Sequence, residues 1–139
     1  MSRRALGLDL GQSRIGVAVS DPSGTICTPL PAIQHTTLSD VIGRVVALAT
    51  EQGVELIVVG LPVTMEGRRG TQAQAALVFR NELRAAVTVP VDTWDERLSS
   101  VEAQARLKEA GRKPSRDKSR IDSIAAALIL ESYLAAHRE

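Results

Sequence analysis

The chain contains 139 residues, carries a formal net charge of +1, and is 44% hydrophobic with 24% charged residues. This length is enough for one domain with a substantial core and too short for two full folds, so we expect a single domain over residues 1–139. Cys27 is the only cysteine, which excludes an internal disulfide and a cysteine-based metal site. No apolar run has the length of a signal peptide or a membrane span, and a cytoplasmic location is expected.

The N-terminal segment, residues 7–21 (GLDLGQSRIGVAVSD), predicts a β-hairpin that carries an acid in its first strand. Apolar residues alternate with other residues on both sides of a turn that begins at Gly11, which is the period of a strand. Asp9 lies within the first strand, where a carboxylate is costly to bury unless a cation or a hydrogen-bond donor satisfies it. Two interpretations fit: Asp9 is an active-site carboxylate at the centre of a sheet, or it accepts backbone N–H bonds in its own turn.

The rest of the chain alternates between strand and helix patterns. A third strand over residues 25–33 contains Pro29 and Pro31, which restrict it to a sheet edge. Apolar patterning predicts helices from Leu38 to a stop at Gly53 and over residues 71–87, 99–111 and 121–137, with strands at residues 56–60 and 90–94. This order predicts an α/β fold with a mixed sheet, in which three antiparallel strands are followed by parallel strands and helices cover both faces. Right-handed crossovers then place the Asp9 strand beside the strand over residues 56–60.

The same periodicity predicts which helix residues enter the core. Thr37 is the expected N-cap of the first helix, whose predicted inward residues are Leu38, Val41, Ile42, Val45 and Ala49. The predicted inward residues of the last helix are Ile121, Ile124, Ala125, Leu128 and Ala135.

Acidic residues stand at the ends of two of these elements. Asp95 and Glu96 follow the last strand, at the edge where open α/β sheets form their sites, and Asp122 lies in the first turn of the last helix. Taken singly, each has a structural explanation, because Asp122 completes a capping-box pattern with Ser119 and acids are favourable near a helix N-terminus. Together with Asp9 they form a set of carboxylates, two of which would repel by roughly 4 kcal/mol at about 4 Å and an effective dielectric constant near 20. A bound cation would offset this repulsion. Oxygen ligands without cysteine or paired histidine suit Mg²⁺ or Mn²⁺.

Carboxylates that hold a divalent ion are typical of phosphodiester hydrolysis. Basic residues cluster near the same positions and would provide salt-sensitive phosphate binding. The candidates for contact with nucleic acid are Arg68, Arg69, Arg97, Arg112, Lys113, Arg116, Lys118 and Arg120. The alternative for each basic cluster is a solvated loop, which is the interpretation adopted for Arg3 and Arg4. His35 and His137 are expected at the surface, with no role in metal binding.

Four segments of the chain resemble the YqgF/RuvX family of resolvases and ribosomal-RNA nucleases, which have an RNase H-like fold. They are residues 7–21 (GLDLGQSRIGVAVSD), 58–67 (VVGLPVTMEG), 95–103 (DERLSSVEA) and 122–133 (DSIAAALILESY). The resemblance implies that Asp9, Glu96 and Asp122 are catalytic acids that bind the metal, and that the LPVTMEG loop has a role near the site. It leaves the roles of Glu66 and Asp95 open.

The resemblance also implies a function, namely a metal-dependent nuclease that processes the 5′ end of precursor 16S rRNA. The alternative within the family is a Holliday junction resolvase, which would cut four-way DNA junctions as a homodimer with two active sites. Two hypotheses come from other classes of protein. One is an actin-like or sugar-kinase-like phosphate binder, because DLGQSRIG is similar to the phosphate hairpin of those proteins, and the other is a non-catalytic RNA-binding module on the same scaffold.

Overall fold

The computed structural model describes residues 4–11, 13–61, 71–96 and 123–137. These residues form five strands and three helices. The strands are β1 (Ala5–Leu10), β2 (Arg14–Ser20), β3 (Cys27–Gln34), β4 (Leu56–Leu61) and β5 (Val91–Asp95), and the helices are α1 (Leu38–Gln52), α2 (Thr71–Ala86) and α3 (Ile124–Ala136). The helix predicted over residues 99–111 lies outside the described residues. Within the described ranges, no helix has the length and apolar character needed to cross a membrane.

The five strands form one mixed sheet in the order β3-β2-β1-β4-β5. β1 pairs antiparallel with β2, and β2 pairs antiparallel with β3. On its other side β1 pairs parallel with β4, and β4 pairs parallel with β5. The predicted mixed sheet is therefore confirmed, with β3 at an edge and β1 beside β4. The strand that carries Asp9 is the central one.

Helices cover both faces of the sheet, because alternate residues of each strand point to opposite sides. Leu6 and Leu8 of β1 are buried in one cluster with residues of α1 and α2, among them Val45 and Leu83. Ala5, which points to the opposite side of the sheet, belongs to a second cluster formed with α3. Full burial of an aliphatic side chain as large as leucine stabilises a fold by about 1.5–3 kcal/mol, so the packing of these layers holds β1 in place.

Helix α1 begins and ends at the residues that the sequence predicts. The Thr37 hydroxyl accepts a hydrogen bond from Asp40 N–H at 3.1 Å. Gly53 ends the helix in the left-handed conformation, with a φ of 65°, which glycine adopts without steric cost. The predicted inward residues are buried except for Leu38, which is 38% exposed. Leu38 is the first residue of the helix, and it lies at the edge of the core.

The predicted inward face of the last helix is mostly wrong. Leu128 is buried as predicted, but Ile124 and Ala125 are only partly buried, Ala135 is exposed, and Ile121 lies outside the described residues. The residues of α3 that are buried are Ala126, Ala127, Leu128, Ile129, Leu130 and Tyr133. The cause is that residues 124–130 are apolar without interruption, so periodicity alone does not select one face of the helix.

Candidate active site

Asp9 occupies the position before the last residue of the central strand β1. Its cross-strand partner in β2 is Gly16. Asp9 shares a face of the sheet with Gly7, and a Cβ built on Gly7 would lie 2.9 Å from Leu130 Cβ of α3. The Asp9 side chain therefore points to the α3 side of the sheet, at the end of β1 where the strand leaves the core.

Glu96 follows directly after β5, which is separated from β1 by β4. A Cβ built on Gly60 of β4 would lie 3.1 Å from Glu96 Oε1. Neighbouring strands are about 4.8 Å apart, so Glu96 must cross the width of β4 to reach β1. Its carboxylate passes over Gly60, where no side chain obstructs it, and forms a hydrogen bond with the Asp9 side chain.

The pKa of the Glu96 carboxyl is raised to about 8 by its burial, by the hydrogen bond with Asp9, and by the negative charges of Asp9 and Asp95. The physical reason is that two carboxylates in contact cannot both ionise in a partly desolvated site without a large repulsion. At neutral pH the pair consequently shares a proton. The contact joins a residue of β1 to the residue that follows β5, and these two strands are not neighbours in the sheet, so Asp9 is not confined to bonds within its own turn. This favours the active-site interpretation of Asp9.

The Asp9–Glu96 pair fits a hard divalent cation. Its donor atoms are carboxylate oxygens only, which suits Mg²⁺ or Mn²⁺. A dication would replace the shared proton and relieve the repulsion that raises the Glu96 pKa. Within the described ranges, no group of three or more histidine, cysteine, aspartate or glutamate residues has the geometry of a metal site. The third predicted acid, Asp122, lies outside those ranges.

The other predicted site residues fall mostly outside the described part of the chain. This holds for every predicted contact with nucleic acid, namely Arg68, Arg69, Arg97, Arg112, Lys113, Arg116, Lys118 and Arg120, and for Glu66. They remain predictions. Asp95 is the last residue of β5, and its charge is one cause of the raised Glu96 pKa. His35 and His137 are exposed, as expected, although the His137 ring stacks on Tyr133 with a centroid separation of 4.0 Å.

Gly60 lies beside Glu96 and is not among the site residues predicted from the sequence. A Cβ at this position would lie 2.7 Å from Ile129 Cδ1, in addition to its close approach to Glu96. The sequence does contain an indication of this role. A glycine at the end of an apolar strand (LIVVG) often marks a place where another group approaches the backbone. Only the position of β4 between β1 and β5 shows which group that is.

The fold of the described residues is similar to that of known resolvases. RuvC from T. thermophilus in complex with a Holliday junction substrate matches with a TM-score of 0.64 at 15% sequence identity, over 96% of each chain. The fowlpox virus Holliday junction resolvase matches with a TM-score of 0.56 at 13% identity, over 96% of this chain and 99% of that one. These similarities support the RNase H-like fold predicted from the sequence.

Relatives at higher identity are named as putative pre-16S rRNA nucleases. One from Chloroflexus aurantiacus is 45% identical over 133 residues, which cover 96% of this chain and 87% of the relative. Another, from Synechococcus sp., is 44% identical over 135 residues, which cover 97% of this chain and 91% of the relative. The family model described as RuvX, Holliday junction resolvase, matches residues 3–136. The chain therefore belongs to the RuvX family of nucleases.

Proposed function

We propose that this protein hydrolyses phosphodiester bonds in precursor 16S rRNA, at its 5′ end, in a reaction that depends on Mg²⁺ or Mn²⁺. The observation that carries the proposal is the hydrogen-bonded pair of Asp9, in β1, and Glu96, directly after β5, which meet above Gly60 of the intervening strand β4. Family membership and the names of the relatives support the substrate class. Nucleases of this family and fold generally use divalent metal ions.

Asp9, Glu96 and Asp122 are the residues proposed to hold the metal. When bound, a divalent ion supplies Lewis-acid polarisation of the phosphate and lowers the pKa of an attacking water. Asp9 is fixed by its place in the central strand, which gives the site a rigid base. Glu96 holds a proton at neutral pH in the metal-free protein, so occupation of the site releases that proton.

The basic residues predicted from the sequence are proposed to hold the nucleic-acid backbone. Lysine and arginine side chains near a carboxylate site attract phosphates and release condensed counterions. The proposal consequently expects cleavage to weaken as the salt concentration rises. The whole of residues 1–139 is proposed to act as one nuclease domain.

The proposal is tested by replacing Asp9 with asparagine. Asp9→Asn preserves the size of the side chain and removes its charge, and we expect loss of Mn²⁺-dependent cleavage by more than about 100-fold. Mutation of residues that merely support a metal ligand already costs roughly 10- to 100-fold. The measurement is the rate of cleavage of a transcript that spans the 5′ precursor junction of 16S rRNA, with and without Mn²⁺.

Asp92→Asn is the matched control. Asp92 is also a partly buried aspartate of the sheet, but its carboxylate accepts a hydrogen bond from Tyr133 OH at 2.6 Å. It stands at the opposite end of β5 from Glu96, and its substitution should preserve cleavage. Wild-type activity in Asp9→Asn, or equal loss in both variants, would contradict the proposed role of Asp9.

Resolution of four-way DNA junctions is the second candidate function, because the matching family model is described as a Holliday junction resolvase. Such an enzyme would act as a symmetric dimer, with one site for each of two strands. The same assay therefore includes a four-way junction, and sedimentation measures the mass of the protein alone and with the junction. Symmetric cleavage of the junction by a dimer, with the rRNA precursor left intact, would replace the first proposal with the second.

A further inference from the structure

Ile129 of α3 covers the glycine over which Glu96 passes. Its side chain is buried, at 3% exposure, in the cluster that α3 forms with Leu56 and Val58 of β4. A Cβ built on Gly60 would lie 2.7 Å from Ile129 Cδ1. The terminal methyl group of Ile129 therefore fills the space that the missing side chain of Gly60 leaves above the sheet.

The Glu96 carboxylate borders the same space. Glu96 Oε1 would lie 3.1 Å from the Cβ built on Gly60, and the carbonyl oxygen of Leu8, the residue before Asp9, would lie 3.4 Å from it. Three groups thus converge above Gly60: the methyl group from α3, the carboxylate that follows β5, and the backbone of β1. Since Ile129 Cδ1 and Glu96 Oε1 approach one point this closely, the methyl group lies beside the carboxylate and contributes to its burial.

Glu96 depends on side-chain contacts for its position, because β5 ends one residue before it. A glutamate side chain loses much rotamer freedom when it is held in one place, so one hydrogen bond with Asp9 is a weak restraint. Open space above Gly60 would give the side chain other positions, and Ile129 closes that space. Ile129 is β-branched, and its χ1 angle has one strongly preferred rotamer in a helix, so its methyl group keeps a defined place.

We propose that Ile129 is a positioning residue for the metal site. Its δ1 methyl group fills the space above Gly60, and Glu96 is thereby confined to positions in which its carboxylate meets Asp9. A metal ligand that is already held in place loses less conformational entropy when the ion binds, so Ile129 raises the affinity of the site for the ion. This inference rests on the proposed function, in which Asp9 and Glu96 hold the ion.

The test compares Ile129→Val with Ile57→Val. Each substitution removes a single buried methyl group, the δ1 carbon of the isoleucine. Ile57 is the matched control, because it is a residue of β4, as Gly60 is, and is 0% exposed, but it packs with α1 and α2 on the opposite face of the sheet. Both variants lose the contacts of one methyl group, so we expect small and similar decreases in melting temperature.

Mn²⁺ binding separates the two variants. We expect Ile129→Val to raise the Mn²⁺ concentration that gives half of the maximal increase in melting temperature by roughly 10-fold, the lower end of the range found when residues that support metal ligands are changed. The Mn²⁺ midpoint for cleavage should rise in parallel. Ile57→Val should retain both wild-type midpoints. Equal midpoints for the two variants would overturn the inference, since the loss of any buried methyl group would then have the same effect.

A double-mutant cycle then asks whether Ile129 acts through Glu96. In the background of Glu96→Gln, the change Ile129→Val should add little to the loss of Mn²⁺ affinity, because the carboxylate that Ile129 positions is already absent. Additive effects would overturn the inference while the proposed function stands. A wild-type protein that neither binds Mn²⁺ nor cleaves nucleic acid would instead overturn the proposed function, and this inference with it.

Discussion

At the scale of single residues, Glu96 makes the free energy of unfolding depend on pH. Its pKa is about 8 in the folded protein, against an ordinary value of 4.5. Between these two values the folded chain retains a proton that the unfolded chain releases. The free energy of unfolding of the metal-free protein therefore falls as the pH rises through this interval, and the fall ends above pH 8. Most structural carboxylates, whose pKa is lowered by folding, produce the opposite slope.

Replacement of Glu96 by glutamine should remove this dependence. In metal-free buffer, we expect the melting temperature of Glu96→Gln to exceed that of the wild type at pH 8.5 and the difference to shrink towards pH 5, because the amide does not ionise beside Asp9. Thermal unfolding followed by circular dichroism over this pH range measures the effect. Glu82→Gln, at an exposed position of α2, is the control. Parallel pH profiles for wild type and Glu96→Gln would show that Glu96 does not hold the proton.

Substitution of Gly60 tests whether Glu96 needs the free space above β4 to reach Asp9. An alanine Cβ there would lie 2.7 Å from Ile129 Cδ1 and 3.1 Å from Glu96 Oε1. We expect Gly60→Ala to weaken Mn²⁺ binding because Glu96 is displaced, and to destabilise the fold by only about 1 kcal/mol, the lower end of the usual cost of overpacking, since the Ile129 and Glu96 atoms are the ends of flexible side chains. Urea unfolding and a Mn²⁺ titration measure the two effects. Unchanged Mn²⁺ affinity would mean that Glu96 reaches the site by another path.

At the scale of elements, the contact between β1 and α3 depends on the absence of a side chain at Gly7. A Cβ on Gly7 would lie 2.9 Å from Leu130 Cβ and 3.0 Å from Ala126 O. Neither atom is the end of a flexible side chain, so the helix itself would have to move. Because α3 covers the face of the sheet that carries Asp9, this contact links the packing of the helix to the position of a proposed metal ligand.

Gly7→Ala and Gly43→Ala should consequently change stability in opposite directions. We expect Gly7→Ala to destabilise by about 1–3 kcal/mol through overpacking. Gly43 lies in α1, and an alanine Cβ at that position would have no atom within 4 Å beyond its own helix backbone and chain neighbours. Gly43→Ala should therefore stabilise by about 0.5–1 kcal/mol, since alanine loses less conformational entropy in a helix. Urea unfolding measures the free energy of unfolding of each variant. An unchanged free energy in Gly7→Ala would contradict the close packing of α3 against β1.

At the scale of the whole molecule, metal binding should appear as a gain in global stability. A ligand that binds only the folded chain stabilises it by about 2.7 kcal/mol at a free concentration of 100 Kd, which is roughly 10 °C in melting temperature for a domain of this size. We expect Mn²⁺ to produce this shift in the wild type and to produce little in Asp9→Asn. Calorimetric scans with increasing Mn²⁺ provide the measurement. An equal shift in both proteins would place the ion elsewhere.

The sequence predicted which segments of the described chain form strands and where α1 is capped, because each depends on local signals such as alternation, a threonine at the N-cap and a glycine at the stop. It also predicted that Asp9 and Glu96 belong to one site, through the resemblance to a family and the place of Glu96 at the end of a strand. The predicted inward face of α3 was wrong in most positions, because an uninterrupted apolar run has no preferred side.

What the sequence by itself determined is therefore the kind of chain: an α/β fold with an acid in its first strand and further acids after a strand and before a helix. The tertiary structure alone decided which groups touch. Glu96 reaches Asp9 because β4 presents Gly60 between them, and the Ser123 hydroxyl accepts a hydrogen bond from Val17 N–H where the pairing of β2 with β3 is irregular. Both contacts join residues that are far apart along the chain, and their positions are set by strand order and register, which local propensity does not encode.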